Sequence, residues 1–377
     1  MKRITVASDS FKGSLTSLEV ADSAEQGIHA VFPQCQVVKV NVADGGEGTM
    51  DALRSTLGGQ WVEIDVSDPL GRKVKSSYVV LDDGVTAVIE MSAASGLPLL
   101  APHERNPMKT STYGTGEMIA DAISRGCRRF LVGIGGSATN DAGTGMLSAL
   151  GFRFLDAHGN ELEGKGESMG KVEEIDISAV PACVLESEFI VACDVDSPFC
   201  GPAGAAYVFS PQKGADPQMV RELDRGMEHF AAVIFRSMGK DVKDVPGAGA
   251  AGGLGGAFLA FLNARLERGI EMVLDAIGFD RLIEGSDLVI TGEGRVDSQT
   301  LTGKTPYGIM KRAQAQGIRT VVIGGSIMLA DDDDVSGFDT IWKVTPDGMP
   351  LEEAMKQETA SANVRTAVEC IMNRYKS

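Results

Sequence analysis

Short apolar runs that end in small or acidic loops and then pass into helical periodicity occur at both ends of this chain, and they limit the fold more than any single motif. Residues 3–8 (RITVAS) lead into Asp9-Ser10-Phe11-Lys12-Gly13-Ser14. Apolar residues at helical spacing follow (Leu18, Ala21, Ala24, Ile28, Val31), with Ser17 as the expected N-cap. A second run, Val37–Val42, passes through Asp44-Gly45-Gly46-Glu47-Gly48 into a helix expected over Thr49–Thr56. Strand, loop and helix in repeated succession predict a parallel sheet, because parallel neighbours need a crossover connection. Beyond about residue 285 the same style returns. Asp287–Thr291, Arg319–Gly324 and Thr340–Val344 read as buried strands, alternating with helices expected over Gly303–Gln316 and Leu351–Tyr375.

The middle of the chain has another period. Trp61–Val66, Val74–Leu81 and Val85–Met91 are β-rich and are joined by the turn sequences Asp68-Pro69-Leu70-Gly71 and Asp82-Asp83-Gly84. Turns that short join antiparallel strands. A chain of 377 residues also exceeds what one core supports. The expectation is an α/β protein of two domains. Residues 1–62 and 285–377 form a doubly wound parallel sheet, and residues 63–284 form an inserted mixed-sheet α/β domain. Close chain termini make such insertions tolerable.

Charge and composition remove several functions. A net charge of −17 disfavours nucleic acid and anionic lipid, and the scarcity of Trp and Tyr disfavours a base-stacking surface. ATP remains admissible, since Mg²⁺ and local N–H groups offset charge within one cleft. The six cysteines include no C-x-x-C pair and read as reduced thiols. The start, MKRITVASDS, lacks the apolar stretch of a signal peptide, and no run reaches the ~20 apolar residues of a spanning helix, so a cytoplasmic protein is expected. None of the four histidines pairs with another at i,i+3 or i,i+4, which speaks against a zinc site and leaves acid–base chemistry to Asp, Glu or Lys.

The first candidate for chemistry is Gly133 through Asp141, placed directly after the strand Arg129–Val132. Consecutive glycines let backbone N–H groups converge, a following helix would add its positive end, and Ser137, Thr139 and Asn140 supply further donors. The plain alternative is a tight turn for helix–sheet packing. A second stretch, Gly247–Gly252, matches G-x-G-x-x-G, but the preceding Val242–Val245 is a weak strand, while a helix follows at Phe258–Leu266. A mobile or phosphate-contacting loop fits it better than a dinucleotide fingerprint. Thr302-Gly303-Lys304-Thr305 resembles the tail of a P-loop but fails the motif, because position 298 is Ser. The acidic run Asp331–Asp334 reads as a solvated helix start.

Acidic residues at strand ends carry more weight. Asp9, Asp44, Glu47, Asp194, Asp196, Glu293 and Asp297 all lie just beyond apolar runs, where open α/β sheets collect ligands. They can hold Mg²⁺ or accept a hydroxyl proton, or simply cap helices and turns. The strand 189–194 (FIVACD) would place Asp194 and Asp196 on one face. Basic residues in the same loops are few: Lys12, Arg105, Lys109, Lys213, Arg295 and Lys304. Arg295 is the first choice for gripping a carboxylate, with a salt bridge to a neighbouring acid as the ordinary reading.

Taken together the motifs resemble the class I glycerate kinases, a bacterial family. The matching stretches are Asp9 through Leu15, Val42 through Thr49, Ala93 through Leu97, Gly114 through Glu117 and Gly133 through Asp141. Val191 through Val195, Pro211 through Ala215, Gly249 through Gly255, Ile290 through Arg295 and Asp297 through Gln299 complete the set. Two departures, Ala7-Ser8-Asp9 for Ala-Pro-Asp and Gly324-Gly325-Ser326 for Ala-Gly-Ser, keep residues small. The resemblance implies a flavodoxin-like domain carrying an inserted domain, and ATP-dependent phosphorylation of glycerate to 2-phosphoglycerate, with 3-phosphoglycerate as the alternative product. On this reading the loop of Gly135, Gly136, Ser137, Thr139 and Asn140 contacts ATP phosphates, and one or two of Asp44, Glu47 and Glu293 hold Mg²⁺. Lys12 and Arg295, with Asp9 and Ser10, hold glycerate or the transferring phosphate, and Asp194 accepts the hydroxyl proton, with Asp297 its rival. Glycerate and ATP are the expected partners, and a homo-oligomer is allowed. A dinucleotide-dependent oxidoreductase and a non-catalytic sugar-acid sensor are the readings from other classes.

Overall fold

The computed structural model describes residues 1–330 and 332–376. Its strands, in chain order, are β1 (Arg3–Val6), β2 (Gln36–Lys39), β3 (Gln60–Ser67), β4 (Lys73–Val80), β5 (Thr86–Glu90), β6 (Arg129–Gly133) and β7 (Arg153–Leu155). They continue with β8 (Glu174–Asp176), β9 (Glu188–Ala192), β10 (Arg265–Glu267), β11 (Leu288–Asp297), β12 (Arg319–Met328) and β13 (Thr340–Lys343). The chain packs as two compact units, Met1–Asp44 with Val273–Ser377, and Gly45–Met272. The helix Thr49–Leu57 goes with the second unit because it packs on β4 and β5, and Glu90 of β5 accepts the Met50 amide at 2.9 Å. The divisions therefore fall near 44 and 272, where turn chemistry alone suggests 62 and 284.

In the first unit the sheet order is β13-β12-β11-β1-β2, and every pairing is parallel. Numbered within that unit, the order is 2-1-3-4-5, the flavodoxin-like arrangement, with its switch point between β1 and β11. Ile4, Val6, Leu288, Ile290, Val321 and Ile323 are buried with Val20, Ala24 and Ile28 of the helix Ser17–Val31 and Val364, Val368 and Ile371 of the helix Gln357–Arg374. The first helix spans the expected residues, but its N-cap is Thr16. Thr16 and Glu19 form a reciprocal capping box that Ser17 is one position too late to make. Where one C-terminal helix is expected, Leu351–Ala354 and Gln357–Arg374 are separate. Asp331 lies outside the described residues; Asp332–Asp334 lie in a loop and start no helix, with Asp334 accepting the Ser336 amide at 3.0 Å.

The second unit holds a mixed sheet of order β10-β9-β6-β5-β4-β3, antiparallel across β3, β4 and β5 and parallel across β5, β6, β9 and β10. Phe130 of β6 stacks on Phe189 of β9 with ring centroids 4.7 Å apart. Val242–Val245 forms no strand, the following helix is Ala250–Phe261, and Leu266 and Glu267 belong to β10. That helix is broken at Ala251, Gly252 and Gly253, all with positive φ. A Cβ on Gly252 would stand 2.2 Å from the Thr139 carbonyl, so the second Gly stretch serves close packing against the first. No helix among the described residues is long and apolar enough to cross a membrane.

Candidate active site

In the first unit the loop after β1 stays beside β11: the Ala7 amide donates to the Ile290 carbonyl and the Asp9 amide to the Gly292 carbonyl, both at 2.9 Å. Asp9 is thereby held at the carboxyl end of β1, buried, with the Ser10 amide donating to its Oδ1 at 2.7 Å. β11 runs further than its apolar core predicts. Glu293, Arg295 and Asp297 lie within it, on alternate positions that share one face, and not beyond it.

Asp9, Glu293 and Arg295 line one cavity of about 660 Å³ at the switch point, within the ~300–1,000 Å³ of small-molecule sites. Asp9, Asp44 and Glu293 supply its acids; Lys12, Arg295, Lys304 and Lys343 supply its cations, and Ser10 adds a hydroxyl. Lys12 Nζ stands 3.4 Å from Asp44 Oδ2. Arg295 Nε lies 3.1 Å from Asp297 Oδ2, and Lys304 Nζ lies 3.4 Å from Asp297 Oδ1 and 4.0 Å from Glu293 Oε2. The Thr300 hydroxyl donates to Glu293 Oε1.

The electrostatics follow from this packing. Burial, then the charge of Asp44, pushes the Asp9 carboxyl up to about 6, against the pull of the Ser10 amide and Lys12. Burial likewise raises Glu293, with Thr300 and Lys304 opposing. Burial works to lower the Lys12 ammonium, but Asp44, Asp9 and Glu293 outweigh it and hold Lys12 above its ordinary value. Asp297 is the opposite case: burial raises it, yet Lys304 and the backbone around Thr300 and Gln299 bring it below the usual carboxylate range.

The charge of Asp44 raises the proton affinity of both Asp9 and Glu293, and acids gathered in this way favour a divalent cation. Among the described residues no group of three or more His, Cys, Asp or Glu could hold a metal by itself. That donor set fits Mg²⁺, which keeps several waters and binds through one or two carboxylates plus phosphate oxygens.

The remaining sequence-predicted residues belong to the second unit. Glu47 is exposed in the turn before the helix Thr49–Leu57. Asp194 and Asp196 lie in the loop after β9, which ends at Ala192, so strand alternation does not place them. Asp194 Oδ1 accepts the Gly269 amide at 3.0 Å, where the helix Gly269–Ile277 starts. Arg268 donates to the Asp194 carbonyl at 2.8 Å and to Asp196 Oδ2 at 3.1 Å.

In the Gly loop after β6, Gly135 and Gly136 are exposed and Ser137 nearly buried, while Thr139 and Asn140 are wholly buried. The helix that follows, Thr144–Ala149, is short, and the Gly143 and Gly145 amides near its start donate to Asp141, both at 3.2 Å. What the loop offers a phosphate is therefore the backbone of Gly135, Gly136 and Ser137. Sequence reasoning names Lys213 only as one basic residue among several, yet the structure buries it under this loop, where it donates to Ser137 Oγ and the Thr139 carbonyl. The Pro211–Ala215 motif is the signal that could have singled it out.

Comparison with known proteins decides the family. The model of the glycerate kinase family matches residues 4–376. The chain belongs to the glycerate kinase family. Among its relatives in that family, a glycerate kinase of Bacillus subtilis (strain 168) is 46% identical over 97% of this chain and 96% of that protein. A protein of Escherichia coli (strain K12) named glycerate 2-kinase is 45% identical over 94% of this chain and 93% of its own length. The crystal structure of a candidate glycerate kinase 2 from Salmonella typhimurium LT2 superposes with a TM-score of 0.90 at 42% identity, covering 100% of this chain and 98% of that one.

Proposed function

We propose that this chain transfers the γ-phosphoryl group of ATP to the 2-hydroxyl of D-glycerate, with Mg²⁺, in the cytoplasm. The observation that carries the reading is the cavity at the β1/β11 switch point, in a chain that matches the glycerate kinase family along nearly its whole length. The relative named glycerate 2-kinase supports the 2-hydroxyl as acceptor. Six unpaired cysteines fit a reducing compartment.

Phosphoryl transfer through a loose transition state asks a protein for positioning and charge neutralisation more than for covalent chemistry. Arg295, whose guanidinium is engaged through Nε with Asp297, presents its remaining N–H groups to the glycerate carboxylate. Lys12 and Lys304 neutralise charge developing on the transferring group, and Ser10 hydrogen-bonds the acceptor. Asp44 and Glu293 would hold Mg²⁺, which when bound neutralises the phosphate oxygens. In the second unit, the backbone of Gly135, Gly136 and Ser137 is proposed to receive phosphate oxygens. Of the two proton acceptors named from the sequence, Asp297 is the less suited, since Lys304 and the Thr300 and Gln299 amides hold its carboxyl below the usual range and Arg295 also pairs with it. Asp194 therefore stays as the proposed acceptor.

The test is purified protein with Mg-ATP and D-glycerate, coupled to enolase and pyruvate kinase without phosphoglycerate mutase. Pyruvate is the expected product. Pyruvate that forms only after mutase is added would reassign the product to 3-phosphoglycerate, and no ADP under either condition would reject the kinase reading.

A further inference from the structure

The first unit's cavity has two ends of unlike chemistry. One holds Asp9, Asp44, Glu293, Lys12, Arg295 and Lys304, while Lys343 stands where the other begins. The other is built by the segment after β13, where Val344, Pro346, Met349, Leu351 and Met355 line it. Leu351 is 77% exposed and Met355 38%, so two large apolar side chains stand uncovered on a ligand cavity. We infer that this apolar end seats the purine and ribose of the nucleotide, with its phosphates running toward Lys12 and Lys304. The inference rests on the ATP-dependent reading above and assigns the nucleoside to the flavodoxin-like unit.

Three observations favour a nucleoside there over the acceptor. Glycerate carries an oxygen on each of its three carbons and has no apolar face to match such a wall, whereas a purine has two. Methionine side chains adapt to flat rings and make favourable sulfur–aromatic contacts. Met355 also lies against the loop that carries Lys12, since a Cβ on Gly13 would stand 3.0 Å from its methyl group, so the apolar end is continuous with the charged one. A polar edge is supplied as well. Asn363 lines the same end and donates to Met349 Sδ at 3.4 Å. Thioether sulfur is a weak acceptor, so the amide can exchange that contact for the donor–acceptor edge of a purine.

Isothermal titration of the full-length protein with ADP and, separately, with inorganic tripolyphosphate tests the assignment. In the double variant Leu351→Ser with Met355→Ser, ADP affinity should fall at least ~10-fold, as for loss of apolar anchors. Tripolyphosphate affinity and the KM for glycerate should stay within about two-fold, and KM for ATP should rise with ADP's Kd. Both positions are exposed, so folding should survive, and an unchanged Tm checks this. Unchanged ADP binding, equal weakening of ADP and tripolyphosphate, or a raised KM for glycerate alone would overturn the inference. A wild-type protein that binds neither probe and makes no ADP from ATP would instead bring down the kinase reading itself.

Discussion

The buried ammonium of Lys213 donates to the Ser137 hydroxyl at 2.7 Å and, at the same distance, to the Thr139 carbonyl, so one side chain fixes the inner wall of the Gly loop. Burial pulls its pKa from 10.5 down to about 7, and the charge facing it, Asp141, pulls the other way. The unfolded chain keeps this proton to about pH 10.5, the folded chain only to about 7. The unfolded state thus binds more protons between those values, and folding stability should rise with pH across that window. Below pH 7 both states carry the proton and the contribution is flat. In Lys213→Met the rise should disappear, while Ser137 and Thr139 lose a partner at a cost of ~1–3 kcal/mol. Urea denaturation from pH 6.5 to 10 reads both effects. Equal slopes for the two proteins would mean that Lys213 does not titrate in this way.

Arg295→Ala should raise the KM for glycerate at least ~10-fold and change kcat less, as expected when a ground-state carboxylate contact is removed. Arg295→Lys should recover only part of the affinity, because an ammonium cannot make the bidentate pair. Steady-state kinetics with glycerate varied at saturating Mg-ATP separates these cases. An unchanged KM in folded Arg295→Ala would leave Arg295 as no more than the salt-bridge partner of Asp297.

How legible was this site beforehand? Asp9, Lys12, Asp44, Glu293, Arg295 and Lys304 could be named because strand ends in open α/β sheets collect ligands, and their strands are apolar enough to see. The apolar end of the cavity was not legible. Val344 to Met355 reads as the end of a strand and the start of one long helix, whereas the helix breaks before Gln357 and these apolar residues line the cavity. The interior of the Gly loop was hidden for a different reason. Lysine is almost never fully buried, so although the Pro211–Ala215 motif marks Lys213, its residue type argues against a place beneath Thr139. The positive φ of Ala251 is likewise a tertiary effect, imposed where the helix meets the Gly loop.

Asp44→Asn and Glu293→Gln should each raise the Mg²⁺ concentration needed for half-maximal activity several-fold, since each removes one of the few oxygen donors available. Chelation with EDTA should abolish turnover, and added Mg²⁺ should restore it. Activity measured against free Mg²⁺ at fixed ATP checks both. Variants whose Mg²⁺ curves overlay the wild type would move the metal away from this pair.

Asp194→Asn keeps an acceptor oxygen for the Gly269 amide, so the start of that helix should survive the change. If Asp194 takes the hydroxyl proton, kcat should fall by at least ~10², the usual scale of general-base catalysis. Asp297→Asn serves as the comparison, because its carboxylate is already committed to Arg295 and Lys304. A kcat within a few-fold of wild type in a folded Asp194→Asn variant would confine Asp194 to capping.

Gly27 tests the fold apart from the chemistry. It sits inside the helix Ser17–Val31 with ordinary helical neighbours, where alanine would gain ~1 kcal/mol of helix propensity. Against that, a Cβ at this position would stand 2.5 Å from the Arg365 carbonyl and 3.0 Å from the Glu369 amide nitrogen, both backbone atoms of the helix Gln357–Arg374. Backbone cannot swing aside as a side chain can, so the two helices must part, and overpacking of this kind costs ~1–3 kcal/mol. The steric term should exceed the propensity term. Gly27→Ala is therefore expected to lower Tm by a few degrees while leaving the KM for glycerate and for ATP unchanged, because no residue of the cavity lies at that contact. Calorimetry on the variant decides the balance: a raised Tm would show that the helices separate at little cost and that propensity wins.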